Sequence, residues 1–488
     1  MGAARLRISS RAVVVARWGR PPLRAIVAVA AGKALGVASR RLGRGGGTAL
    51  PGAVAQRIEP RLASRLARQL GRGRAMVTGT NGKTTTARML AEIAAAAGAA
   101  PVHNRSGSNL MRGVGTALLD AAAFDGRIPR AAGRCGVFEV DEATVPAAIR
   151  ALRPSVVIYT NLFRDQLDRY GEVDSIRGLW RSSLRQLPAG ATIVVNVDDP
   201  SVAELVDGYA GPVLAFSVDA GGAEPTSGSV AEHAADARWC HACGAEYLYD
   251  PIYFGHIGRW RCPGCGRLPP EPDLRVARIG PAFGAAGQAL VVDVRGVRLA
   301  FTLPLDGLYN AYNAAAALTG ALALGFDLAV AVHELERFSA AFGRQERLAL
   351  AGREVRLLLC KNPAGMNQAL AAVLADDQPL HLLIALNDRV QDGRDISWIW
   401  DVDFERLVGR TAAAVACGTR ASDLALRLKY AGFGAALTVE RDAAAALDRA
   451  LGATPAGGRL YVLPTYTAML ALRDLVARRG GRPAFWQQ

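Results

Sequence analysis

The residues best placed to do chemistry form one run, Thr78-Gly79-Thr80-Asn81-Gly82-Lys83-Thr84-Thr85-Thr86. It follows the apolar triplet Ala75-Met76-Val77 and leads into a helical-looking stretch from Ala87 to Ala97. A glycine loop between strand and helix gathers backbone N–H groups and a helix N-terminus around an anion. A lysine can then reach the outer phosphates, and a threonine hydroxyl can sit on Mg²⁺. Gly79, Thr80, Asn81, Gly82, Lys83, Thr84 and Thr85 are therefore expected to cradle a nucleoside triphosphate such as ATP. Composition also singles out Lys83. Of 58 basic residues only Lys33, Lys83, Lys361 and Lys429 are lysine, so arginine is the default cation. A lysine then marks a place where a compact ammonium is wanted in place of a wide fork. The alternative is a chance glycine loop.

Two more groups carry chemistry. Phe138-Glu139-Val140-Asp141-Glu142 ends an apolar stretch with three carboxylates. A strand-end acid opposite a phosphate loop is where Mg²⁺ needs an oxygen ligand, which makes Glu139 with Thr84 the expected magnesium pair. Side chains alternate along a strand, so Glu139 and Asp141 are expected on one face and Glu142 in the turn. A solvated acidic turn is the competing reading. Cys240-x-x-Cys243 and Cys262-x-x-Cys265, with 18 residues between the pairs, match tetrahedral Zn²⁺ coordination by four thiolates. Four cysteines leave no open position for a reactive water, so the site is expected to be structural; a redox dithiol is the alternative.

These groups need a scaffold, and 488 residues give room for two or three domains. The 51% hydrophobic and 21% charged fractions are those of an ordinary globular protein. Net charge is +15, and eleven basic residues from Arg5 to Arg57 precede the first acid, Glu59. Such a segment can lie on anionic lipid or meet a phosphorylated substrate; a poorly ordered arm is the alternative. Ala25 to Ala38, interrupted by Lys33, is too short to span a bilayer, and cytoplasmic residence is the default expectation. Short apolar strands at Gly136 to Val140, Ser155 to Thr160 and Thr192 to Val197 alternate with helical stretches, predicting an α/β unit. A Gly/Ser/Ala-rich loop is expected from Ala220 to Ala235, and a long helix from Tyr309 to Leu324. A second α/β unit follows, with strands at Arg356 to Leu359, Leu380 to Leu386, Ala413 to Cys417 and Leu460 to Leu463. The expected divisions are a basic segment 1–70, an ATPase domain 71–345 with a zinc ribbon at about 236–270, and a C-terminal domain 346–488.

The phosphate loop departs from the general G-x-x-x-x-G-K-[ST] pattern, which would need glycine where Val77 stands. Its G-T-N-G-K-T-T form resembles the Mur ligase family, ATP-dependent enzymes that join amines to carboxylates through an acyl phosphate. Thr160-Asn161-Leu162-Phe163-Arg164-Asp165-Gln166-Leu167-Asp168-Arg169-Tyr170 resembles the family's T-N-x-x-x-D-H-L-D-R-Y, with Gln166 in place of histidine. No lysine follows between Gly171 and Gln186, where many members carry a carbamylated one. Asn196-Val197-Asp198-Asp199-Pro200, the run Asp306 to Ala314 and Gly343-Arg344-Gln345-Glu346 match further family elements in the same order. The resemblance implies nucleotide contacts by Asn313 and Arg344. Leu359 to Asn367 takes the place of the family's D-x-x-H-x-P segment, which puts Lys361 where an acid is more usual. Asn387 to Glu405, rich in acids and holding Trp398 and Trp400, follows a strand and is expected to be a functional loop.

With Leu463-Pro464-Thr465-Tyr466-Thr467-Ala468, these last segments resemble the amidotransferase branch of the family. That resemblance implies an α/β fold: a Mur-ligase-type P-loop ATPase domain with an inserted zinc ribbon, then a Rossmann-like α/β C-terminal domain. It implies a subunit that uses ATP and Mg²⁺ to activate the α-carboxylate of D-glutamate in lipid II for amidation to D-isoglutamine. Lys83, Glu139 and Lys361 would be catalytic. Cys135, Cys360 and Cys417, the cysteines outside the ribbon, sit in no recognisable glutaminase turn. A separate GatD-like glutaminase subunit is therefore expected as heterodimer partner, with Asp395 serving its site; Asp388, Asp392 and Asp401 are alternatives. Action at the inner face of the cytoplasmic membrane, without nucleic acid, completes the expectation. Two rivals are a free-standing Mur or folylpolyglutamate-type amino acid ligase and a nucleic-acid-binding ATPase.

Overall fold

The computed structural model describes residues 20–41, 49–104, 108–165, 173–219, 236–281, 287–339 and 344–479. A nine-stranded sheet carries the phosphate loop. Its strands are β1 (Arg74–Thr78), β2 (Ala100–His103), β3 (Arg134–Glu139), β4 (Val156–Tyr159), β5 (Thr192–Asn196), β6 (Val213–Val218), β9 (Leu274–Pro281), β10 (Gln288–Val294) and β11 (Val297–Leu303). They lie in the order β11-β10-β9-β6-β5-β4-β1-β3-β2, parallel from β2 to β9 and antiparallel across β9-β10-β11. The central strands are buried on both faces, as parallel strands covered by helices must be. Helices Lys83–Ala96, Leu308–Ala323 and Leu328–Glu336 cover one face. Helices Met111–Ala121, Val145–Leu152 and Val173–Ser183 cover the other.

The stretch read as a basic arm is, between residues 23 and 67, folded as helices Leu23–Arg41, Leu50–Ile58 and Leu62–Ala67. They belong to the second face: Ala28, Val29, Leu66 and Leu70 share its core with Met76 and Phe138. Close approach depends on glycine. A Cβ at Gly52 would lie 2.1 Å from the Arg112 carbonyl, and one at Gly32 2.5 Å from Leu119. Ala-rich composition masked these helices, whose apolar residues are mostly too small to mark a face.

A hairpin of β7 (Leu248–Phe254) and β8 (Ile257–Arg261) stands between β6 and β9 in the chain, with the four paired cysteines around it. The second sheet contains β12 (Arg344–Leu350), β13 (Arg353–Leu358), β14 (Leu380–Ala385), β15 (Thr411–Cys417), β16 (Leu437–Val439) and β17 (Arg459–Pro464). Its order is β12-β13-β17-β14-β15-β16, parallel except for the β12-β13 hairpin. Apolar side chains pack on both of its faces. Among the described residues, no helix is long and apolar enough to cross a membrane. The expected loop Ala220 to Ala235 and the residues Gln166, Asp168, Arg169 and Tyr170 lie outside the described residues.

Candidate active site

The phosphate loop leaves β1 at the carboxyl edge of the sheet, between β3 and β4. Gly79 (φ 134°) and Gly82 (φ 84°) take conformations L-residues rarely adopt. Both are also tightly enclosed. A Cβ on Gly79 would meet Thr160 Oγ1 at 2.1 Å, and one on Gly82 would meet Asn313 Oδ1 at 2.1 Å. The residues after β4 clamp the loop: Asn81 N–H donates to Asn161 Oδ1 at 2.8 Å, and Thr160 Oγ1 donates to the Asn81 carbonyl at 2.8 Å. Thr80 Oγ1 donates to the Phe163 carbonyl and accepts from Phe163 N–H.

The expected magnesium pair meets. Thr84 Oγ1 donates to Glu139 Oε2 at 2.8 Å. Glu139 is held through its backbone by Asn104, which donates to its carbonyl and accepts from its N–H. Asp141 does not join them; it accepts from Ala143 N–H and starts the following turn. Thr85 is buried in the first helical turn. Asn313 accepts from Thr86 Oγ1 at 3.3 Å and donates to Asn310 Oδ1, so the helix Leu308–Ala323 abuts the first turn after the loop. The side chain of Arg344 lies outside the described residues.

Glu142 is the residue that sequence reasoning missed. Its Oε1 lies 2.7 Å from Lys83 Nζ, both side chains being buried. Lys83 also donates to the Gly79 carbonyl and, at 3.0 Å, to the Thr80 carbonyl. Glu142 is set by its backbone too, since the buried Trp180 Nε1 donates to its carbonyl at 3.0 Å. The signal was present as a third acid after the strand; alternation placed it in the turn, where it does lie, but gave it no partner.

The second sheet reaches across to this loop. Asn362 caps the helix Pro363–Leu374, accepting from Gly365 N–H, and donates to Asn81 Oδ1 at 3.1 Å. Lys361 Nζ pairs with Asp165 Oδ2, and Arg164 Nη1 approaches Asp401 Oδ2 at 3.3 Å. Arg164 is anchored on its own side by Asp236. Between these pairs lies a cleft whose lining includes Arg164, Asp165, Lys361, Asp395, Trp398 and Asp401.

The four loop aspartates are separated by environment. Asp392 is buried, accepts from the Thr467 N–H and hydroxyl, and burial pushes its carboxyl above the usual range. Asp388 accepts from Thr419, and Asp401 faces Arg164. Asp395 accepts from Ser397 N–H at 2.8 Å and lines the open cleft. In the ribbon, the Sγ atoms of Cys240, Cys243, Cys262 and Cys265 lie within 4.8 Å of one another.

Family profiles match this arrangement twice: the Mur ligase middle domain over residues 77–240 and the MurT ligase C-terminal domain over residues 359–469. The MurT subunit of lipid II isoglutaminyl synthase (glutamine-hydrolyzing) from Streptococcus pneumoniae is 31% identical over 94% of this chain and 98% of its own length. The chain belongs to the MurT family. The MurT subunit from Staphylococcus aureus strain COL agrees, at 30% identity over 90% of this chain and 95% of its own. A pseudomurein peptide ligase type C from Methanothermus fervidus superposes with a TM-score of 0.63 over 84% of this chain and 79% of its own, at 18% identity. That likeness establishes the Mur ligase fold. MurT proteins are named as subunits, so the free-standing amino acid ligase is the disfavoured reading for a chain that matches them along almost its whole length.

Proposed function

We propose that this MurT chain is the ATP-using half of a lipid II amidotransferase: it phosphorylates the α-carboxylate of D-glutamate, and ammonia from a GatD-like glutaminase subunit displaces phosphate to leave D-isoglutamine. The observation that carries the reading is the approach of Lys361 and Asn362, from the second sheet, to the phosphate loop and its clamp. The cleft holds two cations, Arg164 and Lys361, each paired with aspartate, so a carboxylate bound there would take a place now held by Asp165 or Asp401. Opposite charge and fixed hydrogen bonds hold such an anion for in-line attack.

Lys83 has three N–H donors, and Gly79, Thr80 and Glu142 accept all three. A phosphate oxygen reaching Lys83 must replace one of them, and Glu142 is the side chain that can turn away. Thr84 and Glu139 present two oxygens on one side of the loop, a donor set that suits Mg²⁺. Magnesium bound there would offset charge on the transferring phosphoryl group. Asn313 and Arg344 are assigned to the nucleotide, and Asp395 to the glutaminase site as the acid that orients its histidine.

The four cysteines suit Zn²⁺. Tetrahedral thiolates at Zn–S distances near 2.3 Å stand about 3.8 Å apart, and Cys240–Cys265 and Cys243–Cys262 are 3.7 and 3.3 Å apart. The role is structural: Cys240 and Cys262 pack with Tyr247, Trp260 and Ala203. The test of the whole reading is amidation of lipid II with ATP and a high concentration of ammonium. The chain alone should then make D-isoglutamine and ADP, and glutamine should replace ammonium only with the glutaminase present. ATP-dependent ligation of an amino acid by the chain alone would favour the rival ligase.

A further inference from the structure

The helix Leu23–Arg41 is apolar on both sides. Its inner side, with Ala25, Ala28, Val29 and Gly32, is buried against the helices Leu50–Ile58 and Met111–Ala121. Its outer side should then be polar, as on an ordinary surface helix. It is not. Leu23, Val27, Ala30, Ala34 and Val37 recur at helical spacing along one line. Leu23 is 76% exposed, Val27 49% and Val37 43%.

Neighbouring elements carry further exposed apolar side chains. Phe124, 66% exposed, lies beyond the helix Met111–Ala121, with Lys33 Nζ 5.7 Å from its ring centroid. Leu50, at the start of the next helix, is 54% exposed. No acid occurs in the sequence before Glu59, while Arg20, Arg24 and Lys33 stand on or beside this helix. Two exposed acids, Asp120 and Asp125, lie in and just after the helix Met111–Ala121, where Lys33 donates to the Asp120 backbone carbonyl.

We propose that this face is a membrane-docking surface, lying in the plane of an anionic bilayer with its apolar line at the boundary between headgroups and acyl chains and its cations at the headgroups. Charge chooses the occupant. An acid-free apolar helix flanked by arginine and lysine is complementary to anionic lipid, and a helix in this orientation does not need to span the membrane. A second copy of the chain would bring the same cations face to face. Because the opposite side of the helix is wedged into the core by small residues, the line points outward as a fixed surface and need not fold on binding.

The test is co-sedimentation of the full chain with vesicles of phosphatidylglycerol and phosphatidylcholine against vesicles of phosphatidylcholine alone. The wild type should bind the anionic vesicles, and added salt should weaken binding. The exposed double change Val27→Glu with Val37→Glu should lower that affinity by about tenfold or more, while leaving the melting temperature and ammonium-driven amidation of a water-soluble short-chain substrate unchanged. Equal binding by the double variant would overturn the proposal, since attraction would then belong to basic residues at large. So would failure of the wild type to bind, or a change of oligomeric state in the variant as the main effect. Val27→Ser with Val37→Ser, which adds no charge, should weaken binding in the same direction and guards against a misfolded double glutamate.

Discussion

Lys83 carries the proposed phosphate contact, and its burial changes what a substitution would do. Read as a loop-surface lysine, it would be replaceable by alanine without loss of fold. Paired with buried Glu142, it is not. Lys83→Ala should abolish ATP turnover and also cost about 3 kcal/mol of stability, because a carboxylate is left buried without its partner. Adding Glu142→Gln should restore much of the melting temperature but none of the turnover. Glu142→Gln alone should tighten ADP binding about fivefold in a calorimetric titration, since it removes a competitor for the ammonium and a like charge beside the phosphates. Unchanged or weaker binding would remove Glu142 from that role. At this scale, what the sequence made legible were residues whose spacing is chemical. The Thr84–Glu139 contact follows from a loop and a strand-end acid. Glu142 and Asn104 act through the turn and the neighbouring strand, which spacing cannot reveal.

Elements were legible where apolar runs were long. The strands predicted around Gly136, Ser155, Thr192, Leu380 and Leu460 appear as β3, β4, β5, β14 and β17 within a residue or two. Strand β2, a four-residue edge, and the antiparallel β9-β10-β11 meander carried weaker signals, since only part of each is buried. The N-terminal helices were hidden by alanine and glycine, which pack by closeness and not by size. The ribbon is joined to its surroundings by Trp260 Nε1 donating to the Val197 carbonyl and by His241 meeting Arg177 and Glu204, while Asp236 at its start holds Arg164. Metal analysis of freshly purified, reduced protein should find one zinc ion per chain. Cys243→Ser should lose that ion and lower the melting temperature by several degrees, consistent with a structural metal, before amidation is affected. Zinc-free protein of undiminished stability would contradict the assignment.

Across the whole molecule, two sheets meet at the phosphate loop through Lys361–Asp165, Arg164–Asp401 and Asn362–Asn81. No single motif implied these contacts, because each joins residues far apart in the chain; only the order of motifs pointed to two domains around one site. Asp395 lines that cleft, and the proposed function gives it to the partner's chemistry. Asp395→Asn should therefore leave complex formation and ADP affinity near normal, cripple glutamine hydrolysis, and be partly rescued by ammonium at high concentration. Wild-type glutamine hydrolysis in the complex would transfer the role to another group. The central claim is that this chain turns a carboxylate into an acyl phosphate. It is tested most directly by supplying lipid II whose D-glutamate α-carboxylate carries a heavy oxygen isotope, with ATP and ammonium. One labelled oxygen should leave in inorganic phosphate for each amide formed; unlabelled phosphate released while amide accumulates would rule out an acyl phosphate.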